Sequence, residues 1–150
     1  MEVKKPSTGA WLIIHVVFPL CPFLIEGGIR FVVFNNDLSL ATFSSTTLAI
    51  SSGLICLFVS QSLFSYKPII PSDDEQERAI GTAHYFNILG IVCFVAFGVL
   101  VLLTALSESI PPIDVKNIKS TFDLIVLIGA SVPVISSFFT QRSYKLKAVI

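Results

Sequence analysis

The sequence predicts an all-α membrane protein with four transmembrane helices and both termini in the cytoplasm. Three observations predict it. Hydrophobic residues make up 53% of the 150 and charged residues 13%, where a soluble domain carries roughly 25% charged. A single short domain cannot hide that much apolar surface from water, and a bilayer removes the need. Four charge-free stretches follow one another: Pro6 to Ile25, Leu38 to Tyr66, Ala79 to Ser107 and Leu124 to Gln141. Each is close to or beyond the roughly 20 residues that cross a hydrocarbon core of about 30 Å. The third observation is the placement of Lys and Arg. Lys4, Lys5, Lys67, Arg78, Arg142, Lys145 and Lys147 fall on one side of a four-span topology, and Arg30, Lys116 and Lys119 on the other. The excess marks the cytoplasmic side and puts both ends there.

The first span, expected near residues 8–26, follows two lysines and resembles a secretion signal. No small-x-small cleavage site follows it, so a retained helix is expected. His15, Pro19, Pro22 and Glu26 are spaced four, three and four apart, and Arg30 continues the same face. Pro19 cannot donate to the carbonyl of His15, nor Pro22 to that of Phe18, so a bent helix is expected. That stripe either lines a hydrated cavity in which His15 titrates, or belongs to a kinked helix whose His15 bonds a neighbouring helix. Phe31-Val32-Val33-Phe34 reads as an interfacial patch.

The second span, near 39–64, is rich in hydroxyls from Ser44 to Ser52. Small residues recur at Ser45, Ala49 and Gly53, and at Ser52, Cys56 and Ser60. Such rows let helices approach closely in lipid, and a row of hydroxyls also suits a water path. Lys67-Pro68 and Pro71 end this span. Ser72 or Asp73 can cap the next helix, whose acidic start suits a helix N-terminus. Spans two and three exceed the bilayer, which implies tilt or extension into the cytoplasm. The third span, near 80–106, carries His84 and Asn87 close to the cytoplasmic face. Ile110-Pro111-Pro112-Ile113 makes a stiff connector. In the fourth span, near 121–140, Asp123 either pairs with Lys119 four residues earlier or reaches across to Arg30.

Several classes of chemistry are missing. Net charge is zero, and no basic stripe with interleaved aromatics points to nucleic acid. Cys21, Cys56 and Cys93 lie in different spans at depths that the topology sets apart, so a shared disulfide or metal site is not expected. There is no phosphate loop, dinucleotide fingerprint or metalloprotease motif, and no intramembrane carboxylate pair for acid–base work. No enzyme activity, cofactor or metal is expected.

Four helices with short loops leave assembly as the means of action, with the bilayer, with copies of itself and with a partner. The charged segments Lys67, Asp73, Asp74, Glu75, Glu77 and Arg78, with Arg142, Lys145 and Lys147 of the tail, form the expected docking surface. In size, in span order and in the charged segment SYKPIIPSDDEQER between spans two and three, the chain resembles the small four-span inner-membrane subunits of the bacterial Kiwa anti-phage defence system. The resemblance covers the whole chain. It implies a homo-oligomer in the bacterial inner membrane that senses phage arrival and pairs with a cytoplasmic DNA-binding effector, with a tetramer the expected assembly. A small ion-conducting pore of the phage-exclusion kind, around the first or second span, is the alternative. An accessory subunit of a larger membrane complex is a third.

Overall fold

A computed structural model describes residues 6–33, 44–66, 73–109 and 113–148, apart from the side chains of 108, 109 and 113–116. All regular structure among the described residues is helical: α1 Thr8–Val33, α2 Ser45–Phe64, α3 Asp73–Ser109, α4 Ile113–Gly129 and α5 Ser131–Tyr144. Four helical stretches are long and apolar enough to cross a membrane, the fourth running through α4 and α5 as Asn117–Tyr144.

Helix α1 begins where the Ser7 hydroxyl accepts from the Ala10 amide at 3.0 Å. One turn later, Ile13–Val17 winds as a π-helix, and the Phe18 amide reaches the Ile13 carbonyl. The wide turn sits directly before Pro19, which has no amide to donate. An inserted residue is a common way to absorb such a break. The helix therefore runs on through Pro19 and Pro22 to Val33.

Helix α2 is the centre of the bundle. Ser44 caps it by accepting from the Thr47 amide at 3.2 Å. It has the lowest mean hydropathy of the four spans, 1.7, yet 56% of its window is buried, against 11% for the spans of α1 and α3 and 22% for the fourth. Water would select the opposite order. In lipid the apolar residues face outward and the small and hydroxylated ones meet other helices. Phe18, Ile25, Val32, Ile88, Ile91, Ile128 and Phe139 accordingly point outward, each at least 60% exposed. An apolar surface of this extent suits hydrocarbon around it.

Both small-residue rows are buried within the chain: Ser45, Ala49 and Gly53, and Ser52, Cys56 and Ser60. The sequence reading gave these rows to close approach between helices. Within one copy they pack chiefly against α3. A Cβ at Gly90 would lie 3.2 Å from that of Cys56, one at Gly53 would meet the Phe94 ring at 2.9 Å, and Ser60 Oγ donates to the Ala83 carbonyl at 3.1 Å. Ser45, Ser51, Ser52 and Ser60 of α2 are likewise buried within the chain.

The fourth span breaks at Ala130 because Pro133 cannot donate to the Gly129 carbonyl. At its far end Lys145 adopts φ 50° and ψ 40°, a left-handed conformation that costs an L-residue about 1–2 kcal/mol. The Leu146 amide then reaches the Gln141 carbonyl at 3.2 Å, and Gln141 Nε2 donates to the Leu146 carbonyl at 3.1 Å. Ser7 and Ala148 next exchange two backbone bonds of 2.8 and 3.1 Å. The two terminal segments thus lie at the same end of the bundle. Glycine has no Cβ to clash here, so Lys145→Gly is expected to stabilise the fold by about 1 kcal/mol. The denaturation midpoint in detergent checks this.

Candidate functional site

The charged residues predicted for docking gather at the end that holds the terminal segments. Asp73, Asp74, Glu75, Glu77 and Arg78 open α3 and are exposed, as are Arg142, Lys145 and Lys147 at the close of α5. Lys67 lies outside the described residues. The acids suit the positive end of the α3 dipole. Between the two helices is an open cleft of about 490 Å³ lined by Asp74, Glu75, Arg78, Ser143 and Tyr144. Arg142, Lys145 and Lys147 flank it and do not line it.

Tyrosines fix the cleft's edges. Tyr66 Oη donates to Glu75 Oε1 at 2.7 Å, its ring lies edge-on to that of Tyr144 at 5.3 Å, and the Tyr144 and Thr82 hydroxyls are 3.0 Å apart. The hydrogen bond to the Glu75 carboxylate, with the negative charge beside it, raises the Tyr66 pKa above its ordinary value. The phenol therefore stays protonated and donating through the neutral range. Sequence reading missed Tyr66, Ser143 and Tyr144. The available signal was tyrosine beside the charged boundary of a span, where amphipathic rings collect at membrane–water interfaces.

A second polar cluster ties the opposite ends of three helices. Glu26 holds Arg30 at 2.6 Å and accepts from the Thr47 hydroxyl of α2. Asp123 of α4 holds Lys119 at 3.0 Å and accepts from the Ser45 hydroxyl of α2. Of the two pairings open to Asp123, the structure has the one with Lys119 of its own helix. Neither ion pair crosses between helices. The interhelical links are made by hydroxyls of α2, which closes the gap at a lower desolvation cost than a second buried charge.

The remaining polar candidates are dispersed. Among the described residues, His15 bonds no neighbouring helix. Its Nδ1 lies 2.9 Å from the Trp11 carbonyl on its own helix, and its ring stacks on Trp11 at 4.5 Å. Trp11 in turn donates from Nε1 to Ser62 Oγ at 2.8 Å, which ties α1 to α2. His84 is exposed and meets Phe64 edge-on at 5.6 Å; Asn87, one turn further on, is partly buried. Cys56 and Cys93, which the sequence topology set at different depths, lie within about a turn of each other, since Cys56 packs against Gly90, three residues before Cys93 on α3. All three cysteines are free thiols, and no group of three metal-ligating side chains occurs among the described residues. Comparison with known proteins returns no match to a protein family, a curated protein or a solved structure.

Proposed function

We propose that the chain is an oligomeric membrane sensor and scaffold whose charged end recruits a soluble cytoplasmic effector. The observation that carries this reading is the placement of charge. A helix opening with acids and a helix closing with bases flank one open cleft, beside joined terminal segments, at the pole where Lys and Arg are in excess. By the positive-inside rule that pole faces the cytoplasm. The described surface between the two poles is largely apolar and suits lipid, so a cytoplasmic partner would reach the chain at this pole. Mixed charge on such a face favours partner selection and encounter rate over raw affinity.

The setting proposed is bacterial anti-phage defence at the inner membrane, in keeping with the resemblance of the sequence to Kiwa membrane subunits. The role is non-enzymatic, and the partner supplies any contact with DNA. The alternative is an ion-conducting pore; most serine hydroxyls of α2 are buried within one copy. A pore would have to form between copies.

The test is charge reversal at the cleft. Asp74→Lys with Glu75→Lys is expected to weaken partner capture at least tenfold while leaving the oligomer mass unchanged, since truncating or reversing a buried interfacial charge costs about 2–5 kcal/mol. Capture retained by this variant and by Arg142→Glu with Lys145→Glu would sink the docking assignment.

A further inference from the structure

The cleft draws on the acids of α3 and leaves the bases of the tail without a use. Arg142, Lys145 and Lys147 are exposed, and none of their side chains makes an ion pair or hydrogen bond to another described residue. The backbone that carries them is held firmly. Leu146, between the two lysines, is 6% exposed and packs in the core cluster with Trp11. Gln141 Nε2 donates to the Leu146 carbonyl, and Ala148 pairs with Ser7. The described part of the tail therefore lies against the bundle, with an exposed lysine on either side of the buried leucine.

Tyr144 sets the level at which it lies, because its hydroxyl is 3.0 Å from that of Thr82. Asp73 to Glu77 precede Thr82 by nine to five residues, which is about 13 to 7 Å further out along α3 at 1.5 Å per residue. Arg142 belongs to the last turn of the fourth span, which ends at Tyr144, and Lys145 follows directly. The bases thus stand where the apolar surface gives way to headgroups, and the acids stand beyond them. Long basic side chains at such a boundary keep their charge in the interface. The backbone at Lys145 is a second observation. A left-handed turn after a helix is the usual place of glycine, and here a lysine holds it at φ 50°. Strain kept at one position points to a role for the residue that bears it.

We propose that Arg142, Lys145 and Lys147 bind the headgroup phosphate of an anionic phospholipid at the cytoplasmic surface of the bilayer. A polyanion approaching from the cytoplasm has to pass the acids of α3. A headgroup arrives sideways through the bilayer, at the level of the bases. Guanidinium and ammonium groups both suit phosphate oxygens, the first as a fork and the second as a point charge. The pole is then divided: the carboxylates of the cleft face a soluble partner, and the bases face lipid. The proposal rests on the recruitment reading only for the side of the membrane.

The purified full chain is equilibrated in detergent with equal amounts of phosphatidylglycerol and phosphatidylcholine, and the lipids it retains are counted by native mass spectrometry. Each base near a membrane surface contributes about fivefold, the equivalent of about 1 kcal/mol, so phosphatidylglycerol is expected to be preferred at least about tenfold. Arg142→Gln with Lys145→Gln and Lys147→Gln is expected to remove the preference. Lys145→Gly separates binding from folding: its preference is expected to fall about fivefold while its denaturation midpoint rises. Lys145→Arg is expected to keep the preference. Equal retention of the two lipids by the unaltered chain would overturn the proposal, and so would a preference that survives in the triple variant. Displacement of the lipid by excess inorganic phosphate would assign the bases to a free anion and overturn the lipid assignment. No soluble partner enters these counts, so recruitment can fail while this proposal stands, and the reverse.

Discussion

Trp11→Ala is expected to lower bundle stability by about 3 kcal/mol, more than any other single truncation in α1. Trp11 is 1% exposed and lies in the core cluster with Val16, Ile55, Val59, Leu63, Phe86 and Leu146. Its indole also makes the Nε1 bond to Ser62. Only 11% of the α1 span is buried, so this side chain is the helix's main anchor. Core Trp→Ala changes in soluble proteins cost about 3–5 kcal/mol. In lipid the displaced surface meets acyl chains and not water, so the loss comes from packing and the hydrogen bond and falls at the low end. Trp11→Phe keeps most of the packing and is expected to cost about 1 kcal/mol. Ser62→Ala should match it, because interhelical bonds in membranes average about 0.6 kcal/mol. Reversible unfolding in mixed detergent reads all three. Equal effects of Trp11→Ala and Ser62→Ala would mean that the ring does not anchor α1.

Gly90→Leu is expected to separate α2 from α3 at a cost of about 3 kcal/mol. A Cβ there already meets Cys56 Cβ at 3.2 Å, with the Gly53 carbonyl 3.7 Å away. Three further carbons have no room unless the helices part, and overpacking of this kind costs about 1–3 kcal/mol. Parting them also loosens the Ser60 bond to the Ala83 carbonyl. Gly98 lies on the same helix with nothing within 4 Å of its built Cβ, so Gly98→Leu is expected to be neutral. The contrast between the two variants separates a steric effect from helix propensity, which leucine improves at both sites.

The spans were legible because run length and charge are one-dimensional facts. Thr8–Val33 and Ser45–Phe64 lie close to the stretches read from apolar composition. Their arrangement was not legible. Ser45-Ala49-Gly53 announces close helix contact but does not say whether the neighbour belongs to the same chain, and here it does. The similar depth of Cys56 and Cys93 was missed for a geometric reason. Helix α3 has 37 residues, about 55 Å at 1.5 Å per residue, against a core of about 30 Å. Its register against α2 is therefore free by several turns when judged from membrane depth alone. Gly53, Cys56 and Gly90 set it by contact. His15 stands four residues before Pro19, a spacing that implies an exposed His15 carbonyl. The π-turn at Ile13–Val17 accommodates the break, and the ring settles on Trp11 of its own helix. At the docking pole the charges could be named from sequence, but the cleft could not, because Ser143 and Tyr144 come from the far end of the chain.

The central claim, a membrane oligomer that recruits a soluble protein through its charged pole, is tested most directly by weighing the intact complex. The tagged chain is extracted from its native membrane in mild detergent, and the mass of the assembly is determined alongside that of the Asp74→Lys, Glu75→Lys variant. The account predicts several copies of the chain with a stoichiometric soluble protein, and the same oligomer without that protein in the variant. A homo-oligomer that carries nothing in either sample, and that conducts ions in liposomes, would contradict it.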